Sequence, residues 1–255
     1  MSILTQARGL RSTEHPATRS LWSPHCLLCG AACTHDEPVS TSRSDLLCPA
    51  CQADLPGLPR LHCPICLCRT THGERCGTCL HRPPAYSDVT ALFAYDFPVD
   101  RLIQAMKYGH QLLLADWFGN NLAEKLRRQT EECGGIQQID RIVPMPLHPT
   151  RLRERGFNQA LELSRPLEKR LNIPVDRKIL IRQRPTPPQA QLALKERAGN
   201  VKGAFACLAP LHGQTVLLID DVLSTGNTAD ECARVLRRNG AAQVRVAVIA
   251  RALKD

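Results

Sequence analysis

A run of four apolar residues ending in two acids fixes what this chain can become. Val216-Leu217-Leu218-Ile219 leads straight into Asp220-Asp221, then Val222-Leu223, then the polar turn Ser224-Thr225-Gly226-Asn227-Thr228. An unbroken apolar run of this length reads as a strand buried on both faces, as in a parallel sheet. Beyond the turn, Cys232, Val235 and Leu236 recur at helical spacing, with Arg234, Arg237 and Arg238 on the opposite side. Strand, turn and helix in that order point to an α/β fold: a mostly parallel sheet with flanking helices, whose ligands bind beyond the carboxyl ends of the strands.

Each part of the run suits a ribose carrying a 5′-phosphate. Gly226 lets the backbone come close to a phosphate. Amides at the helix start, with the hydroxyls of Ser224, Thr225 and Thr228 and with Asn227 beside them, can cradle the dianion. Asp220 and Asp221 can accept hydrogen bonds from a ribose diol. An Asp-Asp pair before a helix can also be an N-cap and a solvated acid. That accounts for one acid and one hydroxyl, but not for the whole set.

The motif resembles the phosphoribosyl pyrophosphate motif of the type I phosphoribosyltransferases. Val143-Pro144-Met145-Pro146-Leu147-His148, followed by Arg151-Leu152-Arg153-Glu154-Arg155-Gly156-Phe157-Asn158-Gln159, resembles the ComF family over roughly residues 26–252. The resemblance implies an N-terminal double zinc ribbon, a phosphoribosyltransferase domain and a link to DNA uptake. It implies Mg²⁺ bound with phosphoribosyl pyrophosphate, a catalytic role for Lys107 beside Asp220 and Asp221, and a homodimer. It also implies a pyrophosphate loop, Pro144–Arg155, offering Arg151, Arg153 and Arg155, because guanidinium forks match phosphate oxygens. Residues 182–203, with Arg182, Arg184, Gln191 and Arg197, resemble the family's flexible loop. Enzymes of this class that use 6-oxopurines carry an Asp three residues beyond the acid pair. Here that position is Ser224, which argues against 6-oxopurine salvage and leaves the acceptor open.

Ten of the thirteen cysteines fall between Cys26 and Cys79, eight of them in four C-x-x-C pairs: Cys26/Cys29, Cys48/Cys51, Cys63/Cys66 and Cys76/Cys79. Two such pairs complete a tetrahedral Cys₄ zinc site. The expected arrangement is sequential, giving two structural zincs, with an interleaved pairing left open by the spacing. Cys33 and Cys68 are spare, and Cys68 can stand in for Cys66. Four protein ligands leave no open position for catalysis, so the zincs are read as structural. The histidines nearby, His35 among them, read as surface residues.

Charge is local. Residues 150–203 hold 13 Lys/Arg against 5 Asp/Glu and so supply +8 of the net +9. A basic segment beside a phosphate site suits a polyanion, either a diphosphate or nucleic acid. Aromatic residues make up only 4%, which leaves few platforms for stacking bases. The expected organisation is a leader at 1–21, the double ribbon at 22–84 and the transferase-like domain at 85–255, with Pro83-Pro84 at the boundary. No apolar run reaches the roughly 18 residues of a membrane span. The leader lacks a secretory apolar segment, so a cytoplasmic setting is expected. Two functions fit: a Mg²⁺-dependent phosphoribosyltransferase of undetermined acceptor, or a non-catalytic nucleotide-sensing adaptor for single-stranded DNA or DNA-uptake proteins.

Overall fold

The computed structural model describes residues 25–33, 46–109, 111–132, 139–184 and 201–253. The leader, His35 and the segment 185–200, with Gln191 and Arg197, lie outside them. The chain divides into two units, residues 1–48 and 49–255. The larger contains α1 (Pro49–Ala53), α2 (Gly77–His81), β1 (Val89–Ala94), α3 (Val99–Tyr108), α4 (Leu112–Glu132), β2 (Arg141–Pro144) and α5 (Pro149–Arg155). It continues with α6 (Gln159–Leu171), β3 (Leu180–Arg182), β4 (Phe205–Cys207), β5 (Thr215–Leu223), α7 (Asn227–Arg238) and β6 (Gln243–Arg251).

The apolar run becomes the heart of the sheet. β5 pairs in parallel with β2 on one side and β6 on the other, and β1 joins beyond β6. Val216, Leu217, Leu218 and Ile219 have no exposed surface. Val216 and Leu218 pack with Val244, Val246 and Val248 of β6 and with Cys232, Ala233 and Leu236 of α7. The pleat sends Leu217 and Ile219 to the other face, where they are just as buried. Helices α4 and α6 lie against the sheet and against each other, so both faces are covered. The α/β architecture with a parallel sheet is the one the sequence implies.

Two local features depart from the sequence reading. The stretch Pro144–Arg155, read as a loop, contains the helix α5. Pro149 stands at its start, His148 accepts from the Thr150 amide as N-cap, and Gly156 stops it at φ 78°. Its arginines alternate with Leu152 and Glu154 and form no apolar stripe, which hid the helix. The described ends of the basic loop rise from an antiparallel ribbon, β3 with β4.

The C-x-x-C turns at Cys26 and at Cys63, which open the first and second knuckles, share one backbone design with different corners. In the smaller unit the Cys26 amide donates to Ala31 O, and Gly30 takes φ 72°. In the larger unit the Cys63 amide donates to Cys68 O, and the matching corner is Leu67, at φ 61°. A left-handed conformation costs an L-residue roughly 1–2 kcal/mol. Leu67 is buried in the same cluster as Tyr86, Val89 and Val246, and full burial of a leucine offsets about 1.5–3 kcal/mol.

Helices α4 and α6 cross at Gly119. A Cβ there would lie 2.7 Å from Leu163 O and 2.8 Å from Pro166 Cγ, and a backbone oxygen cannot step aside. Gly119→Ala should therefore cost about 1–3 kcal/mol. Thermal unfolding should show a Tm loss of about 2–4 °C per kcal/mol for a chain of this size.

Candidate active site

Because β5 runs on to Leu223, it delivers the two acids to the carboxyl edge of the sheet, and the turn Ser224–Gly226 opens directly into α7. Gly226 is the N-cap residue at φ 79°, and a Cβ there would sit 3.0 Å from the Tyr86 hydroxyl. The turn thus lies against the buried Tyr86 ring and admits no side chain at its corner. The Asn227 amide makes only a long contact, 3.4 Å, to Thr225 Oγ1. Asp230, the one acid of the first turn, is turned away from the mouth: it accepts from the Ala85 amide at 2.7 Å and from Arg234 at 2.6 Å. The helix N-terminus keeps its positive end for an anion.

Asp221 is paired with Lys107 of α3, at 2.8 Å, both side chains being largely buried (14% and 19% exposed). Burial alone would lower the Lys107 pKa, but the Asp221 carboxylate outweighs it and the lysine is held above its usual value. Asp220 accepts from the Asp221 amide at 2.9 Å. Burial, and then the charge of Asp221, push Asp220 up to about 7. The site therefore holds one acid paired with lysine and a second acid poised near neutrality.

The arginines divide. Arg151 is partly buried, and its Nη2 meets no hydrogen-bond partner among the described residues. Arg182 lies over the Phe205 ring at 5.4 Å. Burial, with the charge of Arg151 next, lowers its pKa, while Asp220 acts to raise it. Arg151, Arg182 and Asp220 therefore share one electrostatic environment. Guanidiniums whose charges reach each other in a partly buried place are of the kind that can bind an anion. Arg155 stacks on Tyr108 at 5.2 Å and donates to its hydroxyl and to Gln159 Oε1, each at 3.2 Å. Gln159 is buried, and its Nε2 has no partner among the described residues. Arg153 and Arg184 are exposed, and Arg184 donates to Lys202 O. Asn158 is structural: it caps α6 through the Ala160 amide and donates to Met145 O.

The cysteines gather in sequence order. Cys26, Cys29, Cys48 and Cys51 form one group and Cys63, Cys66, Cys76 and Cys79 the other, with all sulfurs of a group within 4.8 Å of one another. None of these eight is in a disulfide. Tetrahedral zinc with Zn–S near 2.3 Å requires S···S separations of about 3.8 Å. Cys29–Cys48 at 3.7 Å and Cys66–Cys76 at 3.5 Å meet that requirement, so both donor sets are compatible with zinc. Cys68 stays outside its group; its sulfur accepts from Arg251 Nη2 at 2.9 Å.

The raised pKa of Asp220 makes a stability prediction. In the folded chain its proton is held to about pH 7, against about 3.9 when unfolded, so Asp220 opposes folding increasingly as pH rises through that window. Asp220→Asn should raise Tm at pH 8 and do so much less at pH 5, as measured by calorimetry at the two values.

Residues 154–255 match the family model described as Phosphoribosyl transferase domain. The chain is 36% identical over 195 residues to the DNA utilization protein YhgH of Escherichia coli K12, covering 75% of this chain and 84% of that one. It is 32% identical over 213 residues to Competence protein F of Haemophilus influenzae, covering 81% and 90%. It is 26% identical over 227 residues to Competence protein ComFC of Streptococcus pneumoniae, covering 86% and 96%. By these relatives the chain belongs to the ComF family, and its parallel sheet and two four-cysteine groups carry a type I phosphoribosyltransferase fold and a double zinc-ribbon pattern.

Proposed function

We propose that the protein binds phosphoribosyl pyrophosphate with Mg²⁺ and transfers its phosphoribosyl group to a nitrogen nucleophile, in a pathway of DNA utilization or uptake. The observation that carries this reading is the meeting of Asp220, Asp221 and Lys107 beside the Gly226 turn, with Arg182 in electrostatic reach of both Asp220 and Arg151. Ser224–Thr228 would receive the 5′-phosphate on the amides that open α7. Asp220 and Asp221 would accept from the ribose hydroxyls. As the diol takes up Asp221, Lys107 is released toward the diphosphate, where Arg151 and Arg182 already lie. Bound with the diphosphate, Mg²⁺ would offset its charge. The acceptor nitrogen bonds to C1 as the C1–O bond breaks, its electron pair leaving with pyrophosphate. Stabilising that departing charge is the principal electrostatic task of the site. Arg153, pointing to solvent, takes no part in it.

Zinc is assigned to the two cysteine groups as a structural metal, with four ligands each and none left for substrate. Metal analysis of purified protein should return about two zincs per chain. Cys63→Ser should reduce that number and destabilise the larger unit, because a broken Cys₄ site loses folding energy.

No helix of the described residues is long and apolar enough to cross a membrane. The DNA link is supported by the names of the relatives, and the aromatic poverty of the chain favours a small-molecule ligand over base stacking as the occupant of this site.

Calorimetric titration of zinc-loaded protein with phosphoribosyl pyrophosphate and Mg²⁺ tests the reading. Binding at micromolar concentrations should weaken by roughly tenfold or more in both Asp220→Asn and Asp221→Asn, since each removes a charged acceptor. In the wild type, affinity should rise with pH through about 7 as Asp220 ionises, and Asp220→Asn should lack that component. Absence of binding by the wild type at any pH would falsify the proposal.

A further inference from the structure

Arg251 ends β6 and is only 4% exposed. Among the described residues no carboxylate pairs with it, yet its guanidinium is fully engaged. Nε donates to Cys66 O at 2.7 Å, and Nη2 to Cys68 Sγ at 2.9 Å. Nη1 donates to Leu223 O at 2.8 Å, to Ala252 O at 2.6 Å and, more closely still, to Ser224 O. One side chain thus grips the second cysteine knuckle and the first residues of the phosphate turn. Tyr86 makes a parallel connection: its hydroxyl lies beneath Gly226, and the charges of Cys66, Cys79 and Arg251 reach it.

A buried cation without a carboxylate is costly unless negative charge is supplied from elsewhere. Four thiolates around one divalent zinc carry a net double negative charge, because coordinated thiols are deprotonated. The metal-bound group Cys63, Cys66, Cys76 and Cys79 is therefore the natural counter-charge of Arg251.

We propose that Arg251 is a positioning residue: held by the metal-loaded second knuckle, it fixes the carbonyls of Leu223 and Ser224 and so sets the shape of the turn that receives phosphate. Metal in that group and order in residues 223–228 are then coupled, and loss of the metal loosens the turn. That the turn binds a phosphate rests on the function proposed above; the coupling itself does not.

Hydrogen–deuterium exchange of the full-length, zinc-loaded protein reads the coupling without any ligand. In Arg251→Gln the amides of 223–228 should exchange roughly ten- to a hundredfold faster than in the wild type, the effect of losing hydrogen bonds from a charged donor. The strand amides of 216–219 and 244–249 should stay protected. Arg251→Lys keeps the charge but not the fork, and should recover only part of the protection. Cys68→Ala, which spares all four ligands of the group, should move the turn in the same direction by a smaller factor. Removing zinc from the wild type with a chelator should reproduce the Arg251→Gln pattern.

Wild-type protection of the turn in zinc-loaded Arg251→Gln overturns the proposal. So does equal loss of protection in turn and strands, which marks Arg251 as a general stabiliser; if that variant does not fold, Cys68→Ala decides by the same criterion. Titration of the variants with phosphoribosyl pyrophosphate is a separate arm. If the wild type fails to bind, the proposed function fails, and the exchange comparison still decides the role of Arg251.

Discussion

The register of β5 between β2 and β6 is the constraint from which the rest of the molecule follows. Asp140 and Thr215 lock the start of the strand through two hydrogen bonds, the Asp140 amide to Thr215 O and the Thr215 amide to Asp140 Oδ2. Four fully buried residues then leave the strand no freedom to slip, because a shift by one residue would exchange its two faces. At the far end this places Asp220 opposite Val248 and Leu223 opposite Arg251. The acids, the turn and the buried arginine are therefore positioned by the same apolar packing that forms the core.

What was legible in the sequence was local. The strand, the acids, the glycine turn and the helix lie within a few dozen residues, and each carries its own chemical mark. The four C-x-x-C pairs were legible for the same reason, but their spacing left an interleaved pairing open, and it is the fold that gathers them in sequence order. Lys107 was recognised only by likeness to the family; its partner Asp221 is far along the chain, and no spacing rule connects them. Arg153 was grouped with Arg151 and Arg155 because a loop would offer all three alike. As a helix, α5 turns its middle arginine to solvent. Arg251 was hidden in what reads as a polar tail after a valine-rich strand, and Tyr86 in a stretch marked only by its prolines. Both matter through burial, which a sequence does not display.

The candidate site is an assembly of cations around two acids, one of which holds its proton to about neutrality. Lys107 meets Asp221, while Arg151 and Arg182 remain near each other despite mutual repulsion. Such an arrangement is not optimal for the chain on its own. Like charges brought together in a partly buried place cost folding energy, and an anion would return it. Charges clustered at such a cost to stability are common at binding sites, in keeping with the function proposed above.

The contrast between Gly30 and Leu67 has an evolutionary consequence. A glycine corner asks nothing of its surroundings, so a knuckle built on one is a portable cassette. A leucine corner at positive φ is tolerable where its side chain is well buried, and here Leu67 belongs to the same buried cluster as Tyr86, Val89 and Val246. Recombination that inserted or exchanged residues 63–79 would have to bring the matching cluster with it. The second knuckle and the sheet are in this sense one packing unit, joined at Leu67.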